Sequence, residues 1–443
     1  MSEVAAPTRR ADRIGMLDTT RGIAVLGILL MNIVGFGLPE AYEDPTNWGG
    51  HAGLNLAVWR IMSLYFEGTM RGLFTLLFGA GALLFLQRHA AREPGTLTAT
   101  SLYYRRTLLL IAFGLFNGYV LLWDGDILYY YGVVGLFLYL FRRLTTPWLL
   151  LLGALILAIP TCINLLERAD YRNVSARAAA AEVVRAAGEP LSVGQQRAID
   201  ELREMNADHK PSLARLEHAV AQVSSSYHSA FRYIRERTFY LETSFFVKYG
   251  FAECLGMMLI GMALLKLGIL SGAASARTYL ALMLIGYPLG LGINLWEMNH
   301  LERADFSVGA MMDTYVTYDL GRVPMTLGHL GLIGALWLSP VLLQTRRTLA
   351  FVGQMALTNY LAQSVICSLL FTGAGLGLFG RLERYDLYYI VAAIWCLQLA
   401  WSPWWLRRFH FGPAEWLWRS LTYGTAQPMR IAAAPSATTA DAT

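Results

Sequence analysis

Residues 17–38 read LDTTRGIAVLGILLMNIVGFGL, a short polar opening followed by a long apolar run. A helix needs about 20 mostly apolar residues to cross a bilayer, and this run supplies them. Lipid offers no partner for a free backbone N–H or C=O group, so a crossing segment of this composition is helical. We therefore predict a transmembrane helix at 19–38.

Runs of the same kind recur along the 443-residue chain. Hydrophobic residues make up 55% of it and charged residues 15%, against about 25% charged residues in a soluble domain. We predict an all-α fold, a polytopic transmembrane helical bundle of about ten spans. The predicted spans lie at 19–38, 66–87, 105–122, 126–141, 146–164, 246–269, 278–296, 324–343, 350–371 and 387–406.

The predicted organisation has two blocks of spans separated by a polar segment. Residues 1–164 would form spans one to five, and residues 244–424 would form spans six to ten and a helix lying at the membrane interface. Residues 165–243 are rich in Ala, Arg and Glu at helical spacing, which predicts a small external helical insertion. This insertion is either a cap over a substrate entrance or a solvated spacer. The Ala-, Thr- and Pro-rich tail 425–443 is predicted to be disordered.

Basic residues in the short loops predict the orientation, because Lys and Arg stay on the cytoplasmic side. They fall in alternate loops, and the loops between them carry carboxylates such as Asp124 and Asp126 without a base. Both chain ends are therefore expected in the cytoplasm, and the first helix is expected to remain uncleaved. The net charge of +5 then reflects topology and not nucleic-acid binding. The four cysteines form no metal-ligand motif, and we predict no metal.

The first candidate site lies at the start of span one. Asp18 and Arg21 are three residues apart and share one helix face. They form either a helix cap with an anchoring Arg, or a site for an anionic group such as a phosphate. Asn32 lies about three turns deeper, where its amide either bonds a neighbouring helix or lines a polar cavity.

Two further candidates lie at the outer ends of the spans. Arg71 follows Glu67 by one turn, as an interfacial ion pair or as a functional charge at membrane depth. Asp124 and Asp126 occupy the tight turn between spans three and four. They share or shift a proton there, or Asp126 simply caps the fourth span.

The remaining candidates lie late in the chain and in the first outer loop. Asn359 and Gln363 are four apart on one face of an otherwise apolar span, as interhelical hydrogen-bonding groups or as the lining of a cavity. Residues 412–424 read GPAEWLWRSLTYG, an interfacial helix or one docked under the bundle. His51 is a lone loop histidine.

Five stretches together resemble the YeiB family of bacterial membrane proteins, whose C-terminal part is known as domain of unknown function 418. They cover almost the whole chain, and the last two are the most specific. The stretches are LDTTRGIAVLGILLMNI at 17–33, LFTLLFGAG at 73–81, LLWDGDILYYYGVVGL at 121–136, MALTNYLAQS at 355–364 and GPAEWLWRSLTYG at 412–424. The resemblance implies a multi-pass protein of the bacterial cytoplasmic (inner) membrane.

That family is similar to a wider superfamily of transmembrane acyltransferases, which includes the lysosomal heparan glucosaminide acetyltransferase. The resemblance implies an acyl group moved from cytosolic acyl-CoA, such as acetyl-CoA, to an acceptor across the membrane. It also implies that Asp18 and Arg21 open the donor site, that an Asn lies where Asn32 lies, and that a loop histidine acts nearby. His51 lies later in the chain than that spacing requires.

The first functional hypothesis is a membrane acyltransferase acting on a sugar, lipid or metabolite. Its catalytic candidates are Asp124, Asp126, His51 and Asn32. Its donor-binding candidates are Asp18, Arg21, Arg71, Asn359 and Gln363. The alternative is a transporter or flippase for a small metabolite or lipid-linked solute, and a membrane scaffold is the third hypothesis. The lipid bilayer is the one certain partner, and the sequence leaves open whether the chain is a monomer or a homodimer.

Overall fold

The fold is taken from a computed structural model that describes residues 15–90 and 98–431. Sixteen α-helices and one π-helical segment, Leu241–Gly250, account for most of that part of the chain, and no strand occurs in it. The helices are α1 (Gly15–Gly37), α2 (Gly53–Tyr65), α3 (Thr69–Ala90), α4 (Ala99–Tyr119), α5 (Leu128–Phe141), α6 (Thr146–Ala186), α7 (Val193–His209), α8 (Leu213–Ser225), α9 (Tyr227–Tyr240), α10 (Phe251–Lys266), α11 (Ala276–Arg303), α12 (Val308–Leu338), α13 (Leu343–Gln354), α14 (Ala356–Phe371), α15 (Asp386–Leu406) and α16 (Pro413–Tyr423).

The predicted all-α class is confirmed, and the bundle is of the membrane type. Within the described residues, six helical stretches are long and apolar enough to cross a bilayer. They are Gly15–Gly37, Gly53–His89, Thr146–Ala186, Tyr227–Lys266, Ala276–Arg303 and Asp386–Leu406. Two shorter apolar helices, Leu128–Phe141 and Ala356–Phe371, lie among them.

Several helices differ in extent from the predicted spans. Helix α6 does not end near residue 164 but continues to Ala186, so its second half projects from the bundle. Helix α12 begins at Val308 instead of residue 324. Its first residues, 308–312, are apolar, and the polar residues that follow, such as Asp313, are covered by α6 and α11. The predicted span 350–371 is broken at Met355, where α13 ends and α14 starts.

Helix α1 lies at the centre of the bundle, and most of its residues are buried. It approaches α13 closely at two glycines. A Cβ on Gly22 would lie 2.0 Å from the Leu349 carbonyl oxygen, and one on Gly353 would lie 1.9 Å from the Asp18 carbonyl oxygen. Lipid supplies no hydrophobic force between helices, so helices in a membrane associate through close packing. Small residues at a crossing allow the two backbones to approach each other closely. The α1–α13 crossing therefore depends on these two glycines.

Gly353→Ala is expected to destabilise the protein, because its new methyl group meets backbone that cannot rotate away. Overpacking of this kind costs about 1–3 kcal/mol. Thermal unfolding in detergent measures it, with Gly81→Ala in α3 as the control, since a Cβ at Gly81 meets nothing within 4 Å. Equal melting temperatures for the two variants would contradict the tight crossing.

One end of the bundle, called here the insertion end, is covered by α7–α9 and the loop 38–52. The carboxylates of that loop bind the covering helices. Lys210 lies 2.6 Å from Asp44. The Arg237 guanidinium lies 2.5 Å from Glu40 and 2.7 Å from Asp124. The expected helical insertion is thus a packed layer, held to the bundle by charge as well as by contact.

A second point of attachment is Asp313 on α12. Its carboxylate lies 2.5 Å from Arg168 and 2.9 Å from Arg172 on the projecting half of α6, and 3.0 Å from His300 on α11. Burial would raise the pKa of Asp313, but hydrogen bonds from Arg168 and His300 outweigh burial and hold its pKa below the usual value. The carboxylate is therefore ionised when it holds α6 in place.

The pKa of Asp313 is lowered in the folded protein, so its carboxylate stabilises the fold. This stabilisation is fully present above the ordinary carboxyl pKa of about 3.9, and it is lost as the pH falls through the lower pKa of the folded protein. Asp313→Asn should remove it already at neutral pH. Hydrogen exchange of the projecting half of α6 would then become faster, whereas exposed Asp208→Asn serves as the unaffected control. Unchanged exchange in Asp313→Asn would show that this attachment contributes nothing.

The opposite end, called here the α16 end, is closed by α16. Glu415 accepts hydrogen bonds from the backbone N–H groups of Leu357 at 2.7 Å and Thr358 at 3.1 Å, which caps α14. Helix α16 is therefore docked under the bundle. Part of the segment predicted as a disordered tail folds back here, because His410 donates from its backbone N–H to Met429 at 2.9 Å. Residues 432–443 and 1–14 lie outside the described residues.

Candidate functional site

The turn between α4 and α5 places Asp126 inside the insertion end, where it is buried. One carboxylate oxygen accepts from the Asn117 amide at 2.7 Å, and the other accepts from the Tyr129 backbone N–H at 2.8 Å. The Tyr360 hydroxyl of α14 lies 3.4 Å away. Asp126 therefore caps α5, which was one of the two alternatives that the sequence predicted. It also joins a polar cluster formed by residues of α4, α5 and α14.

Three buried polar atoms around this turn have no hydrogen-bond partner in the described part of the chain. They are Asn117 Oδ1, Trp123 Nε1 and Glu242 Oε1. Native structures leave few buried polar groups unsatisfied, and those that remain call for an explanation. The Trp123 indole also lies beside the Tyr360 hydroxyl, so the two acceptors are what remains next to the buried carboxylate for a water or a ligand to bind.

Asn32 on α1 lies next to this cluster. The indole of Trp123 stacks on Phe36 with ring centroids 3.8 Å apart and lies 3.2 Å from a Cβ built on Gly35. By helix geometry, Asn32 falls on the face between those two residues, one turn away. Asn32 and Gly35 keep exposed surface although α1 is otherwise largely buried. These two residues are therefore the accessible part of α1 at the level of the cluster, and we call this strip the crevice.

The same face of α1 carries Arg21 at the α16 end. Arg21 and Asn32 are eleven residues apart, which is close to three full turns of helix. Their side chains therefore point in directions only about 20° apart, about 16 Å from each other along the axis. The Arg21 guanidinium donates to Asp18 at 2.8 Å, so the predicted pairing on one helix face is present. One side of a single helix thus connects the two ends of the bundle.

Two further guanidinium groups lie near Arg21. Arg106 at the start of α4 lies over the Trp418 ring, 3.9 Å from its centroid, and has Arg419 and Arg21 as charged neighbours. Three like charges from α1, α4 and α16 meet at one end of the bundle. Like charges repel, so such a group is stabilised by an anion. We call Arg21, Arg106 and Arg419 the basic cluster.

Asp124 does not pair with Asp126. It lies 2.7 Å from Arg237 of α9, on the outer side of the turn. Burial raises the pKa of Asp124, Arg237 opposes that rise, and Glu40 adds to it. The two carboxylates therefore occupy different surroundings, and the idea that they share a proton fails because each has its own partners.

Arg71 belongs to a buried ionic network at some distance in sequence. Its guanidinium pairs with Glu253 of α10 at 3.1 Å, whereas Glu67, the partner that the sequence suggested, is within electrostatic range of Arg71. The same Glu253 oxygen accepts from Arg322 at 2.6 Å, and Arg322 also pairs with Asp319. Charges paired in this way hold α3, α10 and α12 together, so the structure favours a packing role for Arg71 over binding of a cofactor.

Asn359 and Gln363 are also used for packing. The Asn359 amide donates to Ser402 at 3.1 Å and accepts from Trp401 at 2.7 Å. Gln363 donates to the Val25 carbonyl oxygen at 3.1 Å and to Gln398 at 3.1 Å. These bonds join α14 to α1 and α15. The alternative of interhelical hydrogen bonding therefore describes both residues, and neither lines the crevice.

His51 lies exposed in the loop 38–52, and its ring makes no hydrogen bond to another described residue. No described hydrogen bond or ion pair joins His51 to Asp126 or Asn32. Sequence reasoning also missed Asn117, Tyr360, Glu242 and Arg106. A buried amide or hydroxyl gives no signal in a hydropathy pattern, and Glu242 fell within the segment expected to be external.

The chain can be compared with known proteins at this point. A family model described as a protein of unknown function, DUF418, matches residues 264–425. The uncharacterized protein YeiB of Escherichia coli (strain K12) is 31% identical over 427 residues, covering 93% of this chain and 97% of that relative. The uncharacterized protein YxaH of Bacillus subtilis (strain 168) is 28% identical over 443 residues, covering 96% and 97%. No solved structure matches.

Helices of membrane length around a buried polar cluster define the chain as a multi-pass helical membrane protein. It belongs to the YeiB-like family of DUF418 proteins, because the match to the Escherichia coli relative extends over nearly the whole of both chains.

Asn359→Ala should lower stability without affecting a ligand, because it leaves the buried Trp401 N–H without an acceptor. A buried group left unsatisfied costs about 1–3 kcal/mol. The thermal unfolding midpoint in detergent measures the loss, with Thr348→Ala on exposed α13 as the control. An unchanged midpoint for Asn359→Ala would contradict the packing role.

Proposed function

We propose that the protein transfers an acyl group from acyl-CoA to an acceptor, with acetyl-CoA as the simplest donor. The observation that carries the proposal is the single face of α1 that runs from Arg21 in the basic cluster to Asn32 beside Asp126. A donor with phosphates at one end and a reactive group on a long arm fits such an arrangement.

In this proposal the α16 end faces the cytoplasm and the insertion end faces outward. The basic residues of the short loops support this orientation, because the rule applies to short loops and not to a long segment such as the insertion. Lys266 bonds the Leu144 carbonyl oxygen at the α16 end, and Arg105 bonds that of Leu421 at 3.2 Å. The chain would cross the inner membrane ten times, with the shorter helices α5 and α14 among the crossings.

The basic cluster would hold the phosphates of the donor. Guanidinium groups bind phosphate through paired N–H donors and stay charged at all physiological pH values. Asp18 fixes the side chain of Arg21 through their 2.8 Å bond, and the Trp418 ring supports Arg106. Both arrangements keep the guanidinium groups in place before a ligand arrives.

The reaction would take place in the crevice beside Asn32. Asp126 would accept the proton of the attacking hydroxyl or amine. The Trp123 Nε1–H, which lies beside the Tyr360 hydroxyl, and the Asn32 amide would donate to the oxygen that becomes negative as the thioester is attacked. The acceptor, a sugar, lipid or metabolite, would enter from the insertion end past α7–α9.

Acetyl-CoA is expected to raise the thermal unfolding midpoint of the purified protein in detergent, because a ligand that binds only the folded state stabilises it. Arg21→Gln should weaken the apparent affinity about tenfold or more, since a bond to a charged group contributes about 1.5–3 kcal/mol. Arg60→Gln is the matched control, because Arg60 pairs with Glu302 away from the basic cluster.

Absence of stabilisation by any acyl-CoA, in wild-type protein shown to be folded, would overturn the proposal. A transporter would then become the preferred hypothesis, ahead of a membrane scaffold.

Asp126→Asn should keep the acetyl-CoA stabilisation and lose acyl transfer by about 10²–10⁴-fold, the usual contribution of a general base. Release of free CoA thiol measures transfer, with water or an added sugar or amine as acceptor. Asp124→Asn should retain transfer, because Asp124 is paired with Arg237. If Asp124→Asn loses transfer and Asp126→Asn keeps it, the base has been assigned to the wrong carboxylate.

A further inference from the structure

Glu242 is a buried carboxylate that the proposed reaction has not used. It lies at the start of the π-helical segment Leu241–Gly250, between α9 and α10. A π-helix is rare, and where one interrupts an α-helix it is often at a functional site. The Tyr130 hydroxyl donates to the Leu241 carbonyl oxygen at 2.5 Å and so holds this irregular backbone against α5.

The Glu242 side chain points toward the Asp126 cluster. Its Oε1 lies 3.3 Å from a Cβ built on Gly118, the neighbour of Asn117, whose amide binds Asp126. Asp126 and Glu242 are also close enough to interact electrostatically. Glu242 is only 5% exposed. Two buried carboxylates therefore lie on either side of Asn117.

Neither carboxylate has a cation at ion-pair distance in the described part of the chain, which sets them apart from Glu253 and Asp319. The groups that face Glu242 are Asp126 and the phenols of Tyr119, Tyr129 and Tyr130. Asn117 Oδ1 and Glu242 Oε1 are both acceptors without a donor. A water or a moving proton between them would satisfy both.

We propose that Glu242 relays the proton that Asp126 removes from the acceptor. The inference rests on the proposed function. The acceptor oxygen or nitrogen forms its bond to the acyl carbon while the C–S bond breaks, and Asp126 takes the acceptor proton. That proton passes to Glu242 and leaves past half-exposed Tyr119, which is hydrogen-bonded to Glu242. The CoA thiolate forms beside Asn32, leaves with CoA toward the α16 end and takes a proton from water there, so one proton is released and one is taken up.

A relay residue acts through Asp126 and touches neither substrate, which gives it a distinct kinetic signature. In Glu242→Gln, acetyl-CoA stabilisation and the first turnover are retained, because Asp126 is intact. The steady-state rate falls about tenfold or more, because Asp126 is slow to lose its proton. A small diffusible buffer base such as imidazole restores that rate in proportion to its concentration.

The test is CoA release by rapid mixing and at steady state, in wild type, Glu242→Gln, Tyr119→Phe and Glu236→Gln. Glu236 is an exposed carboxylate on α9 and serves as the matched control. A Glu242→Gln protein that binds acetyl-CoA and turns over at the wild-type rate overturns the relay but leaves the proposed function standing. Loss of the first turnover, or a slow steady state that buffer does not restore, also overturns it. Failure of wild type to bind acetyl-CoA overturns the proposed function itself.

Discussion

The structure depends on the burial of α1 among the other helices. Lipid supplies no hydrophobic force between helices, so their association rests on close packing and hydrogen bonds. The contact of Gly22 with α13 and that of Gly27 with Met70 of α3 allow backbone to approach backbone or side chain without a gap. Gln363 and Trp395 add hydrogen bonds to α1 carbonyl oxygens. With neighbours along most of its surface, α1 is a fixed element on which the site is built.

This helix explains why two distant features of the chain belong to one site. The carboxylate of Asp126 reaches α1 through Trp123 and Tyr360, which come from a turn and from a late helix. Arg21 lies on the same face but at the other end. A ligand that contacts both has to extend along the helix past Val25, Ile28 and Leu29, which neighbouring helices cover, to Asn32 and Gly35, where α1 is accessible.

Buried charge is used in two different ways in this bundle. Moving an ion out of water is costly, and only close partners offset that cost. Arg322 and Glu253 meet this condition through a 2.6 Å bond, and their network is best understood as packing between helices. The atoms around Asp126 do not meet it, because Asn117 Oδ1 and Glu242 Oε1 have no donor among the described residues. Arg322 Nε is also without a partner, so the difference between the two groups is that Asp126 and Glu242 have no cation at ion-pair distance among the described residues, whereas Glu253 and Asp319 do.

The helical class, the apolar runs and the helical insertion could be predicted from the sequence, because hydropathy and helix spacing are local properties. The start of α12 could not, since the charge of Asp313 interrupts the apolar pattern and is offset by Arg168 and His300 from other helices. The break at Met355 and the π-helical segment likewise depend on contacts. In the site, Asp126 and Arg21 stood out as charges in apolar surroundings. Asn117, Tyr360 and Glu242 became visible only once the fold brought them together.

The central claim is that one face of α1 holds acyl-CoA between the basic cluster and Asn32. Cryo-electron microscopy of the protein with a non-hydrolysable thioether analogue of acetyl-CoA would test it most directly. The account predicts phosphate density within hydrogen-bonding distance of Arg21 and Arg106, and the acyl end beside Asn32 and Trp123. Phosphate density at the insertion end, or analogue density on the lipid-facing surface away from α1, would contradict it.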